Sequence, residues 1–118
     1  MQSILIFLAL FTQTAYAQTL PPVVYSTSTA PAIIEAYAAK YGTPAAPLVA
    51  TLNCESHFAA DRVGDHGTSF GVAQIHLPAH PDITKEQALD PMWAVDYAAR
   101  EFAAGNAGQW TCYKKLYE

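Results

Sequence analysis

The chain has 118 residues, of which 52% are hydrophobic and 14% are charged, and its formal net charge at pH 7 is −4. This length accommodates a single domain, and the hydrophobic fraction is that of an ordinary globular protein. The chain contains only six Lys and Arg residues, and they form no long run. A nucleic-acid-binding surface needs clustered positive charge, so we set this class of function aside.

The first segment predicted along the chain is a signal peptide. An apolar run from Ser3 to Phe11 is followed by polar residues 12–14 and by the small-x-small triplet of residues 15–17. This order matches an export signal cleaved after Ala17, and the run is too short to span a bilayer. We therefore expect residues 1–17 to be removed and the mature protein to be secreted or periplasmic, without membrane attachment. The alternative interpretation of the run is a buried N-terminal helix.

A leader and a first helix are predicted next. Residues 18–29 are rich in Pro, Ser and Thr without an apolar period, which predicts a flexible leader. Thr29 offers a capping hydroxyl just before Pro31, a residue suited to the first turn of a helix. Apolar residues from Ile33 to Tyr41 recur at helical spacing, and Gly42 is a typical helix end.

The rest of the chain predicts a mainly helical domain. A second helix is expected to be capped by Thr43-Pro44 and to end at or near Glu55. The Asp, Gly, His and Thr residues between positions 61 and 69 predict a loop or a short hairpin. Three further elements are predicted: a short helix over residues 84–89, a longer helix from Asp90-Pro91 to Gly105-Asn106, and an aromatic tail over residues 110–117. We therefore expect residues 30–118 to form one small, mainly α domain with an irregular central loop or short hairpin.

The chain contains two cysteines, Cys54 and Cys112. In an oxidising compartment we expect them to pair, which ties the segment that carries Glu55 to the C-terminal tail. A loop of this size makes the bond worth about 4 kcal/mol in the chain-entropy description. The alternative is two unrelated buried thiols, and a metal site is disfavoured because two distant cysteines lack ligand-pair spacing.

Glu55 is the residue with the clearest chemical potential. It follows an apolar helical stretch, adjoins Cys54 and precedes the aromatic Phe58. Partial desolvation there disfavours the charged carboxylate and raises its pKa, so that the group keeps a proton near neutral pH and can act as a general acid. Taken alone, a glutamate near a helix end is more often a solvated surface residue.

Further motifs surround this residue, and together they resemble a known family. The segment Glu55-Ser56-x-Phe58 is followed by the run Val-Gly-Asp-x-Gly-x-Ser-x-Gly-Val-Ala-Gln-Ile over residues 63–75 and by Gln-Ala-Leu-Asp-Pro over residues 87–91. This pattern resembles the lysozyme-like lytic transglycosylase family, in its small phage-type and secreted bacterial form, over about Leu48 to Tyr113. The resemblance implies a lysozyme-like fold and cleavage of the β-1,4 MurNAc-GlcNAc bond of peptidoglycan, with 1,6-anhydro-muramyl products.

The resemblance also implies roles for individual residues. Glu55 corresponds to the general acid/base, and Gln74 to an amide that binds substrate and helps to orient the acid. The other residues expected at the glycan groove are Ser56 beside the acid, the small Ser69 and Gly71 of the groove wall, His76 at the rim, and the aromatic Trp110 and Tyr113. For Trp110 and Tyr113 the alternative is core packing around the disulfide. The Ala-Tyr-Asn motif of larger transglycosylases is absent, and residues 105–113 stand in its place.

A second carboxylate decides between hydrolysis and transglycosylation. An inverting hydrolase needs a base about 6.5–9.5 Å from the acid, and a retaining one needs a nucleophile at about 5–5.5 Å. Asp65 is the main candidate and Asp61 a weaker one, although Asp65 lies between glycines in a predicted turn where Asp also serves local hydrogen bonding. Without a second carboxylate, Glu55 acts first as acid and then as base.

The sequence offers two other classes of function. The four histidines include His76-x-x-x-His80, a spacing that a zinc hydrolase uses, but Pro78 and Pro81 interrupt the helix this would need, and no His-Glu-x-x-His motif occurs. We therefore expect no metal and no cofactor. A non-catalytic glycan-binding module is the other alternative, and the presence of Glu55 argues against it. The expected partner is a peptidoglycan glycan strand, bound by a monomer.

Overall fold

The structure of the protein, a computed structural model, describes residues 23–118. The predicted signal peptide, residues 1–17, and residues 18–22 of the predicted leader lie outside the described residues. Within the rest of the leader, the Tyr25 hydroxyl donates a hydrogen bond of 2.7 Å to the Phe58 carbonyl oxygen, which lies just past the second helix. Between residues 23 and 118 no helix is long and apolar enough to cross a membrane.

The described chain is mainly helical, as the sequence predicted. Its helices are α1 (Ala30–Tyr41), α2 (Ala45–Ser56), α3 (Lys85–Leu89), α4 (Pro91–Ala103) and α5 (Thr111–Tyr117). Two short 3₁₀ helices, Leu77–Ala79 and Ala107–Gln109, connect them. Helix α1 packs against α2 and α4, and α5 packs against α2, so the helices surround a single core.

The helix ends follow local chemistry with two corrections. Gly42 ends α1 in the left-handed conformation that glycine adopts without steric cost, as predicted. The expected side-chain caps at Thr29 and Thr43 are wrong. The Thr29 hydroxyl donates instead to the Val24 carbonyl oxygen at 2.8 Å, and Pro44, which has no polar side chain, precedes α2.

The central loop contains a small three-stranded antiparallel sheet, which is one strand more than a short hairpin. Its strands are β1 (Val63–Gly64), β2 (Ser69–Phe70) and β3 (Ile75–His76), in the order β1-β2-β3. In the β2–β3 register Ser69 pairs with His76 and Phe70 pairs with Ile75. Because side chains alternate between the two faces of a sheet, Ser69 and His76 project from one face and the apolar pair from the other.

The core joins the helices to this sheet. Ile34 of α1, Leu48 and Leu52 of α2, and Val95 of α4 are fully buried, and Val72 from the β2–β3 turn is buried with them. Each such aliphatic side chain contributes about 1.5–3 kcal/mol on burial. The sheet is therefore held against the helices by the apolar residues of its own turn.

The predicted disulfide is confirmed. Cys54, in the last turn of α2, is bonded to Cys112, at the start of α5, and the Cα atoms are 5.9 Å apart. The two residues are separated by 58 positions in the chain. The bond therefore fixes the C-terminal helix against the end of α2 that carries Glu55.

Candidate functional site

A cleft of about 610 Å³ opens between the end of α2, the small sheet and the chain that leads into α5. Five residues that the sequence singled out line it: Glu55, Asp65, Gln74, His76 and Trp110. The tertiary structure thus brings together side chains from four separate parts of the chain.

Glu55 is half-buried in this cleft. Its Oε2 atom accepts a hydrogen bond of 3.1 Å from the backbone N–H of Cys112. The pKa of the Glu55 carboxyl is raised above its ordinary value, chiefly because burial disfavours the charged form. The Cys112 N–H lowers this pKa, the negative charge of Asp65 raises it, and the positive charge of Lys115 lowers it, with a net rise.

The Cys112 hydrogen bond also determines which carboxyl oxygen carries the proton. In a protonated carboxyl group the carbonyl oxygen is the better acceptor for an N–H, and Oε2 already accepts one. The proton of Glu55 is therefore carried by Oε1. A half-buried carboxylic acid with one oriented O–H is suited to general acid catalysis.

Asp65 lies in the turn between β1 and β2, with a left-handed φ of 50°. Its side chain is exposed and lines the same cleft as Glu55. The Ser69 hydroxyl donates to Asp65 Oδ2 at 2.5 Å, and His76 Nδ1 lies 4.0 Å from that oxygen. The second carboxylate predicted from the sequence therefore shares a cavity with the acid. Asp61 is exposed and does not line the cleft.

Ser56 does not reach the cleft, although it adjoins Glu55 in sequence. It is fully buried, and its hydroxyl donates to the Val72 carbonyl oxygen at 2.7 Å, with the Leu52 carbonyl oxygen 3.2 Å away. Ser56 therefore joins the last turn of α2 to the β2–β3 turn, and it acts on the Glu55 surroundings only through this contact.

Gly71 is buried and faces α3, away from the cleft. A Cβ atom at this position would lie 1.9 Å from the Ala88 carbonyl oxygen, and the φ of Gly71 is 81°. Only glycine fits this combination of contact and dihedral angle. Gly71 therefore allows close packing of the β2–β3 turn on α3, which is a different role from the groove-wall position that the resemblance implied.

Gln74 lines the cleft, but its amide nitrogen is committed to the backbone. Its Nε2 atom donates to the carbonyl oxygens of Arg62 and Gly71, each at 3.0 Å. A Cβ atom on Gly64 would lie 2.3 Å from Gln74 Oε1, so glycine at that position makes room for the amide. Gln74 therefore braces the β1 and β2–β3 segments, and its amide hydrogens are not free for a ligand.

The two predicted aromatic residues lie in different places. Trp110 is 4% exposed, donates its indole N–H to the Ala73 carbonyl oxygen at 2.8 Å, and presents one edge to the cleft. Tyr113 lies outside the cleft, because its ring packs against Phe102 and Tyr117 on another side of the molecule. The structure therefore brings Trp110 to Glu55 but not Tyr113.

Sequence reasoning assigned no site role to two cleft residues, Tyr97 and Gln109, and it offered His80 only as a candidate zinc ligand. The Tyr97 ring stacks on Trp93 with centroids 5.5 Å apart and an angle of 8° between the planes. Its hydroxyl donates to Gln109 Oε1 at 3.1 Å, and burial raises the pKa of Tyr97 to about 12. Tyr97 lies on the helix predicted from Asp90-Pro91 and is buried there, and no local signal distinguishes its polar hydroxyl end from core packing.

The two histidines of the cleft are not arranged as a helical ligand pair. His76 and His80 both line the cleft, but a 3₁₀ turn over Leu77–Ala79 separates them in place of an α-helix. Among residues 23–118, no group of three or more His, Cys, Asp or Glu side chains is arranged to hold a metal ion.

Comparison with known proteins provides no relative for this chain. No protein-family model, no curated protein sequence and no solved structure matches it. The chemistry of the cleft is therefore the basis on which a function is proposed.

Proposed function

We propose that the protein is a peptidoglycan-cleaving glycosidase that acts on the β-1,4 bond between MurNAc and GlcNAc, as a lytic transglycosylase with Glu55 as general acid/base. The observation that carries the proposal is the half-buried Glu55 carboxyl, whose pKa is raised, in an open cleft of about 610 Å³. Glycosidic bonds are cleaved with a carboxylic acid that keeps its proton until it meets the leaving oxygen.

The proposed reaction uses Glu55 twice. Its Oε1–H protonates the glycosidic oxygen, and the bond from that oxygen to C1 of MurNAc breaks. The carbonyl oxygen of the substrate's own N-acetyl group stabilises the positive charge at C1, as the family resemblance implies. The Glu55 carboxylate then takes the proton of the muramyl 6-hydroxyl, whose oxygen bonds to C1 and closes the 1,6-anhydro ring.

The composition of the cleft supports a sugar as the ligand. Trp110 and Tyr97 line the cleft as largely buried aromatic residues, and the exposed Gln109 and Thr111 provide amide and hydroxyl groups. Ligand sites in proteins commonly combine apolar or aromatic walls with a few polar groups that fix orientation.

A lysozyme-type hydrolase with Asp65 as the second carboxylate is the second candidate function. It is favoured by one observation: Asp65 lines the same cleft, and its negative charge raises the pKa of Glu55. In an inverting mechanism Asp65 would activate a water molecule on the opposite face of the sugar ring. The product would then carry a reducing end.

We further propose that the protein works in an exported compartment. The Cys54–Cys112 disulfide supports this, because such bonds persist where the environment is oxidising. The predicted cleavage after Ala17 is tested by intact-mass measurement of secreted material, in which retention of Met1 would contradict the signal peptide.

Digestion of purified peptidoglycan with the mature protein, followed by mass analysis of the soluble muropeptides, tests the function. Products lighter by one water than reducing-end products identify a transglycosylase, and reducing ends identify a hydrolase. Glu55→Gln is expected to lower the rate about 10²–10⁴-fold, the usual contribution of a general acid. Glu35→Gln, at an exposed position of α1, is the matched control and should cleave like the parent.

Three outcomes would contradict the proposal. Release of muropeptides by Glu55→Gln at the parental rate would remove Glu55 from the mechanism. Absence of any release, with glycan binding retained by both proteins, would leave a non-catalytic binding module. Loss of activity with a chelator, restored by zinc, would indicate a metal-dependent hydrolase.

A further inference from the structure

The structure contains a closed ring of hydrogen bonds beside Glu55, formed by the side chains of Ser69 and His76 and by both ends of the Asp65–Thr68 turn. We propose that His76 is a positioning residue for the second carboxylate: its Nδ1–H, donated to the Ser69 and Thr68 hydroxyls, holds Asp65 in one orientation in the cleft. The inference rests on the proposed glycosidase function, adds to it an electrostatic role for the Asp65 carboxylate that applies to transglycosylation and to hydrolysis alike, and assigns a residue that acts through Asp65.

The strand register brings these groups together. Ser69 and His76 are directly opposite each other in the β2–β3 ladder, and their side chains project from the same face. His76 Nδ1 lies 3.2 Å from Ser69 Oγ and 3.3 Å from Thr68 Oγ1. The Nδ1 atom is 4.0 Å from Asp65 Oδ2, too far for a direct hydrogen bond, so the hydroxyls are the link between them.

Counting protons fixes the direction of these hydrogen bonds. Ser69 donates its single hydroxyl proton to Asp65 Oδ2 at 2.5 Å, and Thr68 donates its own to the Asp65 backbone carbonyl at 2.7 Å. An ionised carboxylate and a carbonyl oxygen can only accept. Both hydroxyl protons are therefore in use, and towards His76 each hydroxyl can only accept. It follows that Nδ1 of His76 carries a hydrogen, which selects one tautomer of the neutral ring.

This arrangement constrains a side chain that would otherwise be free. The Asp65 side chain is 70% exposed and stands on a left-handed backbone residue, so no core packing holds it. The Ser69 hydroxyl binds Asp65 Oδ2 from the sheet side, and Asp65 Oδ1 has no hydrogen-bond partner among the described residues. His76 orients the two hydroxyls and therefore sets where the negative charge of Asp65 sits relative to Glu55.

The consequence for the reaction is a fixed negative charge beside the sugar. A carboxylate stabilises positive charge that develops at C1 only if it is already oriented when the bond breaks. Loss of the Nδ1–H leaves the two hydroxyls held only by their own hydrogen bonds to Asp65, so the exposed carboxylate can change rotamer more easily. We therefore expect His76 to affect kcat and to leave KM nearly unchanged.

A double-mutant cycle with Asp65 tests the inference on the full mature chain. His76→Leu should lower kcat about tenfold, the value of one hydrogen bond to a charged network. His76→Asn, whose amide nitrogen takes the place of Nδ1, should recover most of that loss. In the Asp65→Asn background, which keeps the acceptor and removes the charge, His76→Leu should cause no further loss. His66→Asn, at an exposed position of the same turn that tolerates a left-handed residue, is the control and should behave like the parent.

A spectroscopic measurement tests the ring independently of catalysis. Long-range ¹H–¹⁵N correlation spectra of the neutral imidazole should show His76 protonated at Nδ1, and this state should be lost in Ser69→Ala combined with Thr68→Val. An unprotonated Nδ1 in the parent, additive effects of the His76 and Asp65 changes, or no recovery in His76→Asn would each overturn the inference. If the parent protein releases no muropeptides, the proposed function fails, and the tautomer measurement still decides whether the ring exists.

Discussion

The backbone N–H of Cys112 donates a 3.1 Å hydrogen bond to Oε2 of Glu55, a residue 57 positions earlier in the chain. The disulfide partner of Cys112 is Cys54, the immediate neighbour of Glu55. The covalent bond and the hydrogen bond therefore join the same two short segments, the last turn of α2 and the start of α5. Cys112 thus has two roles: its disulfide stabilises the fold, and its backbone N–H orients the Glu55 carboxyl group.

Removal of the disulfide is expected to affect both the stability of the protein and the pKa of Glu55. In Cys54→Ser combined with Cys112→Ser, the free energy of unfolding should fall by about 4 kcal/mol, the loop-closure value for a bridge of this span. Burial is the largest cause of the raised pKa of Glu55, and the Cys112 N–H only partly opposes it, so a loosened α5 that admits water should bring this pKa back towards its ordinary value. The basic limb of the kcat/KM profile would then move to lower pH. Denaturant titration and pH–rate profiles measure the two effects, and reductant should change the parent but not the double variant.

Glu55→Gln should stabilise the protein at neutral pH. The folded-state pKa of Glu55 is raised, so the folded protein binds more protons than the unfolded chain between the ordinary value of 4.5 and the raised value. Stability therefore falls as pH rises through that window, and above it the ionised Glu55 carries an uncompensated burial cost. Melting temperatures should be higher for Glu55→Gln at pH 7 and should converge with the parent below pH 4. A difference that is constant with pH would contradict this origin.

Asp65→Asn should shift the pH profile towards acid through charge alone. The negative charge of Asp65 raises the pKa of Glu55, so its neutralisation lowers that pKa, and Glu55 loses its proton at lower pH. The basic limb of kcat/KM should therefore move towards acid. Asp61→Asn, at an exposed residue outside the cleft, is the control and should leave the limb in place. Equal shifts in both variants would point to overall charge as the cause.

Two glycines provide a matched test of close packing. Gly71→Ala should cost about 2–4 kcal/mol of unfolding free energy, because its Cβ would meet the Ala88 carbonyl oxygen at 1.9 Å in addition to a left-handed φ. Gly67 has a φ of 90°, but a Cβ there would have no atom within 4 Å. Gly67→Ala should therefore lose only about 1–2 kcal/mol of unfolding free energy, the cost of a left-handed backbone for alanine. Urea titrations of both variants measure the difference. Equal losses would show that α3 moves aside without cost.

The fold was largely predictable because its signals are local. The apolar spacing of α1 and α4, the Pro residues in their first turns and the left-handed Gly42 all act within a few residues of one another. The roles of Thr29 and Thr43 were not predictable, since a hydroxyl near a helix start can bond to several backbone groups. The third strand was missed because β3 has only two residues, too few to show the alternating pattern that identifies a strand.

The candidate site was predictable only in part. Glu55, Asp65, Gln74, His76 and Trp110 do line one cleft. Three other predicted residues make their contacts outside the cleft. Ser56 bonds to the Val72 carbonyl oxygen, Gly71 packs against Ala88, and the Tyr113 ring packs against Phe102. A residue's position in a motif specifies that it matters for the local structure, but it does not specify whether its side chain faces the cavity or the core.

The helices, the disulfide partners and the position of Glu55 near the end of α2 follow from local signals, because helical periodicity, dihedral limits and cysteine number need no knowledge of distant contacts. The state of the Glu55 carboxyl group instead depends on contacts that form only in the folded chain. Its burial, its hydrogen bond to Cys112 and the nearby charge of Asp65 all arise where α5 and the small sheet pack beside α2. Desolvation and Coulomb interactions depend on distance in space, and segments far apart in the chain meet only after it has folded.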